Sequence, residues 1–137
     1  MNISKYATFF HDGTIHTICH KNNRIQIGME SAELEPEWNE DHITLSKFGT
    51  ISGTLHMNDI TGIRIDKQSY AEELKMSHDS SDINHFSVLE NKVVLVVAWL
   101  NYDPELPERT DLFEIEIEAA EILWKNSPHA FESLRNG

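Results

Sequence analysis

The chain has 137 residues, 39% of them apolar, and carries 11 Lys and Arg against 23 Asp and Glu, a net charge of −12. That length suits one domain spanning the chain, with enough core to need no disulfide or metal. So acidic a surface repels phosphate backbones, which argues against a nucleic-acid partner and favours a basic protein.

No apolar run approaches the roughly 20 residues of a membrane helix. The longest, Val93 to Leu100, has strand length, so no membrane association is expected. The stretch from Met1 to Phe10 lacks the basic start and apolar run of a secretory signal. The single cysteine, Cys19, has no partner within the chain. Both features predict a cytoplasmic protein.

The first strand is predicted over Thr14–His20, followed by a turn at Lys21-Asn22-Asn23, where Asn tolerates left-handed backbone. A second strand starts at Arg24, with Ile25, Ile27 and Met29 facing a core in a period of two. Glu35–Asp41 reads as a loop, with Pro36 and four acidic residues around Trp38. Strands are then expected over His42–Lys47, Thr50–Met57 and Ile60–Asp66, with turns at Phe48-Gly49 and Asn58-Asp59. Ile51, Leu55 and Met57 share one face of their strand, and Ile63 and Ile65 share another.

Ser69-Tyr70-Ala71-Glu72 fits a capping box and predicts a short helix to about Met76. His78–Asp82 reads as loop. His85–Leu89 and Lys92–Leu100, joined by Glu90-Asn91, form a hairpin. Its run Val93–Val97 suits a central strand buried on both faces. Tyr102–Asp111, with Pro104 and Pro107, is an excursion. In the last strand Phe113, Ile115 and Ile117 face in, and Glu114, Glu116 and Glu118 face solvent. A bulge or change of direction is expected at Ala119-Ala120. The tail after about residue 127 reads as loosely held. The fold class is therefore mainly β (α+β): an antiparallel bent sheet, a sandwich or a partly open barrel, with one short helix covering an end.

Eight histidines raise the question of a metal. On a strand, His16 and His20 would stand roughly 13 Å apart, at about 3.3 Å per residue, too far to share one ion. No metal and no cofactor is expected. His11-Asp12-Gly13 reads as a structural turn in which Asp12 binds backbone amides and His11 anchors the chain. Cys19 lies in a predicted strand, where a free thiol packs as a small apolar residue. The chain has no Gly-x-Ser-x-Gly elbow and no glycine-rich phosphate loop, so no catalytic residue is assigned.

Two loops combine an aromatic anchor with carboxylates, as contact sites for basic partners do. One holds Glu35, Glu37, Trp38, Glu40 and Asp41. The other holds Tyr102, Asp103 and Glu105, beside Trp99. Both tryptophans could instead fill the core.

The order of Phe9-Phe10-His11-Asp12-Gly13, the paired strands to Met29, the stretch Gly53–Ile65 and the strand Phe113–Trp124 resembles a group of small bacterial proteins that includes predicted immunity proteins of polymorphic toxin systems. The resemblance covers roughly residues 9 to 125 and implies a binding protein that occludes a toxin. It supplies no catalytic residues.

The leading expectation is a non-enzymatic protein-binding domain with a basic partner. One alternative is a small-ligand-binding barrel or sandwich, with or without hydrolytic activity, lined by His16, His20 and His56. Another is a structural subunit that pairs an exposed strand edge in a homodimer.

Overall fold

The computed structural model describes residues 2–101 and 109–135. Among these residues seven antiparallel strands form one sheet: β1 (Thr14–Lys21), β2 (Arg24–Glu33), β3 (Thr50–Ile65), β4 (Gln68–Ser69), β5 (Ser80–Leu89), β6 (Lys92–Leu100) and β7 (Arg109–Asn126). β1, β2 and β3 form one meander, and β5, β6 and β7 form another. β7 joins them by pairing with β3 along most of its length. On the far side β1 meets β5 at only Thr14↔Asp82 and Ile15↔Ser81. Hydrogen bonding thus runs in a ring with one thin seam. The sheet is bent strongly enough for its inner face to enclose the core.

That core follows the period-two pattern. Ile25, Ile27, Met29, Ile51, Leu55 and Met57 are all 0–1% exposed. They meet Val93, Leu95, Val97, Ile115 and Ile117 from the other meander. Val94 and Val96 are half-buried, so β6 buries one face rather than the two that its unbroken apolar run suggests.

Several predicted elements differ. β5 begins at Ser80, inside the His78–Asp82 stretch expected as loop. Asn58-Asp59 does not turn the chain: β3 runs unbroken for 16 residues. Asp59 takes a positive φ of 56° within it. β7 holds both halves of β3 in one ladder, with a register shift between Ile60 and Gly62. His42–Lys47 belongs to no strand: His42 takes a positive φ of 54°, and Lys47 lies in a turn. It is held by side chains rather than by a ladder: Ile43 N–H donates to Asn39 Oδ1 at 2.9 Å, and Asn126 Nδ2 donates to Thr44 O at 2.9 Å. Ser69–Met76 is not a helix. Ser69 ends β4, and the segment then crosses the ring as irregular chain. Leu74 is buried there, and its N–H donates to His20 Nδ1 at 2.8 Å.

Helical structure lies instead at the start, as 3₁₀ turns over Ile3–Phe10. Asn2 caps them, its Oδ1 accepting from Ser4 N–H at 3.2 Å. Ile3, Tyr6, Ala7 and Phe10 point into the core. Phe10 meets Phe86 and Trp124 edge-on, with centroids 5.1 and 5.7 Å away. Within the tail, Phe131 lies 4.5 Å from the His16 ring. The Glu132 carboxylate accepts from Lys47 N–H at 2.9 Å. No helix among the described residues is long and apolar enough to cross a membrane.

Candidate functional site

The acidic loop leaves β2 at Leu34, which is buried, and makes a short 3₁₀ turn over Pro36–Trp38. Pro36 presets the backbone at the start of that turn. Trp38 does not fill the core. It is 46% exposed, and its ring stacks on Phe9 with centroids 5.6 Å apart and 13° between planes. Phe9 in turn tilts against the buried Tyr6, 6.1 Å away. The exposed indole therefore stands on an aromatic column rooted in the core.

The loop's own charge is partly answered from the N-terminal turns. Lys5 Nζ lies 3.0 Å from Glu40 Oε2 and 3.0 Å from Asp41 Oδ2. Tyr6 OH donates to Asp41 Oδ2 at 2.6 Å, while Asp41 N–H donates to the same hydroxyl oxygen at 3.1 Å. The hydroxyl of Tyr6, then the ammonium of Lys5, holds the Asp41 carboxyl below the usual carboxylate range. The same bond raises the Tyr6 hydroxyl, and the Asp41 and Glu40 carboxylates raise the Lys5 ammonium. Glu40 and Asp41 thus fasten the loop, while Glu35 and Glu37 stand exposed beside Trp38. A groove of about 620 Å³ lies next to this fastening, lined by Lys5, Asp41, Ile43 and Asn126 among others.

The second candidate loop, with Tyr102, Asp103 and Glu105, lies outside the described residues. Trp99 is core, 6% exposed. His11-Asp12-Gly13 is a turn, with Asp12 at φ 67°. Its anchors differ in part from expectation. The Asp12 backbone N–H, not its carboxylate, makes the bond, donating to Ile83 O at 2.8 Å. His11 reaches Asn84 O through Nδ1. Gly13 is required by close approach, since a Cβ there would lie 2.3 Å from Glu30 O. Cys19 is exposed rather than packed.

The histidines named for a ligand cavity serve separate purposes. His20 accepts from Leu74, so its proton sits on Nε2. His56 lies in β3 between Gln26 and Leu123. His16 was visible as a candidate, but its partner was not. Its Nε2 lies 3.0 Å from Glu30 Oε1, and the two side chains are only 6% and 3% exposed. Thr50 Oγ1 donates to Glu30 Oε2 at 2.5 Å, and Ser46 Oγ lies 2.6 Å from Thr50 Oγ1. A register shift between Ile15 and Thr17 places His16 there, an irregularity that a period of two does not show. Both hydroxyls are tied toward the carboxylate and not the imidazole, so the row does not set a base against a nucleophile. No group of three or more His, Cys, Asp or Glu side chains among the described residues could hold a metal.

No family model, no curated protein and no solved structure matches this chain.

Proposed function

We propose that the chain is a protein-binding domain that acts without catalysis, and that Trp38 is the centre of its contact face. The observation that carries this reading is the exposed indole stacked on Phe9. A large aromatic held rigid and left half in water loses little freedom when a partner covers it. Glu35 and Glu37 provide an acidic rim, which suits Arg and Lys on the partner. The net charge of −12 would draw such a partner in and speed the encounter. In its most specific form the partner is a basic toxin and this chain its immunity protein, as the resemblance of the sequence implies. The filled interior of the ring weighs against the alternative of an enclosed ligand cavity.

The test is a paired capture. The immobilised chain and its Trp38→Ala, Glu37→Ala double variant are exposed to lysate at low salt, and bound proteins are released by a salt step. The reading expects one basic protein on the first column and its loss from the second. Equal retention on both columns would refute it.

A further inference from the structure

We propose that the edge of β7 over residues 119–126 is a docking surface for a second copy of this chain, which adds its own β7 antiparallel about Leu123. This surface does not include Trp38 and does not depend on the Trp38 face, although Asn126 at its end also lines the groove beside Lys5 and Asp41.

β7 is the longest strand, with 18 residues, and its two halves are held differently. Its first half lies between β6 and β3. The β6 ladder stops at Lys92↔Glu118, with one further bond from Ala119 N–H to Asn91 O. From there to Asn126 only β3 pairs with β7 among the described residues. The other side of that half is an open strand edge whose N–H and C=O groups can bind a further strand. A groove of about 330 Å³ runs beside it, lined by Ile3, Val88, Ile122, Leu123 and Trp124 among others.

The sequence at this edge is self-complementary. Two antiparallel copies centred on Leu123 place Leu123 against Leu123. They place Ile122 against Trp124 twice, and Glu121 against Lys125 twice. Leu123 is 52% exposed in the single chain, so a second copy could cover it. Glu121 and Lys125 are exposed on the same face, and Ile122 and Trp124 are half-buried on the other. The register therefore matches charge with opposite charge on one face and apolar with apolar on both. A slip of one residue would set Lys125 against Ala120 or Ile122, and would turn the faces against each other.

The test uses the full chain and two single charge reversals, Glu121→Lys and Lys125→Glu. Sedimentation velocity should show a dimer for the native sequence. Each reversal sets like charges against each other twice, and should weaken the dimer by about 100-fold or more. Circular dichroism should show both variants folded. Mixed in equal amounts, the two variants restore both opposite-charge pairs, so a heterodimer should form and be weighed by native mass spectrometry. The proposal is overturned if the native chain stays monomeric at its solubility limit. It is equally overturned if both variants dimerise like the native chain, or if mixing restores nothing.

Discussion

Trp38 and Phe9 stack outside the core, 5.6 Å apart and nearly parallel, where β2 hands the chain to its acidic loop. Phe9 is joined to the interior through Tyr6, so the exposed indole is fixed from below. Trp99 has the opposite fate, at 6% exposed. The two tryptophans look alike in sequence, each beside carboxylates, and only packing separates them.

That difference sets the first prediction. Trp38→Ala removes an aromatic stack but little core contact, so it should cost about 1 kcal/mol of stability. Trp99→Ala empties a core site and should cost about 3–5 kcal/mol. Urea denaturation of the two variants against the parent chain measures both.

Glycine positions give a second pair. Gly13→Ala drives a Cβ to within 2.3 Å of Glu30 O and 2.9 Å of Phe10 O. Neither atom is the end of a flexible side chain, so the turn must open, at a cost of about 2–4 kcal/mol. At Gly62 a Cβ meets nothing within 4 Å. Gly62→Ala should be neutral or stabilise by about 0.5 kcal/mol, because the unfolded chain loses freedom. Thermal melts should show a clear drop for Gly13→Ala and no drop for Gly62→Ala.

The buried row from His16 to Ser46 carries a third. Glu30 is 2% exposed, and its carboxylate meets His16 and Thr50. Glu30→Ala should cost about 3–5 kcal/mol, since it strands buried polar partners. Phe131 lies over the His16 ring, and also against Gly28, where an added Cβ would come within 2.7 Å of it. Phe131→Ala should therefore speed hydrogen exchange along β1 and β2 near His16 and Gly28. Unchanged exchange there would show that the covering segment adds no protection.

The fastening of the loop predicts a pH dependence. Asp41 is held low by the Tyr6 hydroxyl and then Lys5, and Glu132 is held low by the Lys47 N–H and then His129. Groups lowered on folding add stability that is whole above their ordinary values, 3.8 and 4.5, and is lost as pH falls through the folded values. The melting temperature should fall on acidification below that range, and less steeply in an Asp41→Asn, Glu132→Gln variant. Tyr6 is raised above its ordinary 10.0 by donating to Asp41, so its contribution holds below that pH and fades as the phenol ionises. Alkaline spectrophotometric titration should show a late tyrosine step that Tyr6→Phe removes.

Much of the sheet was legible because its strands bury one face. Ile25-Ile27-Met29 and Phe113-Ile115-Ile117 announce their inner sides, and Glu90-Asn91 marks the hairpin. The fold departs from the local pattern where distant contacts override local chemistry. Asn58-Asp59 has turn residues, yet β7 holds both flanks in one ladder. Ser69–Glu72 has capping chemistry, yet the chain spends the Leu74 N–H on His20 instead of on a helix. The N-terminal turns were missed, although Asn2 as cap and the spacing of Ile3, Tyr6, Ala7 and Phe10 signal a helical face. At the candidate site, the acidic residues and Trp38 were visible in sequence. Their division of labour was not, because it depends on Lys5 and Tyr6, some 35 residues away along the chain.

The most direct measurement is calorimetric titration of the captured basic protein into the native chain and into Trp38→Ala, each at low and moderate salt. The account predicts that Trp38→Ala weakens binding by about 30-fold or more, the cost of a hot-spot aromatic, and that salt weakens what remains. Equal affinity for both chains would contradict it and would move the contact face away from Trp38.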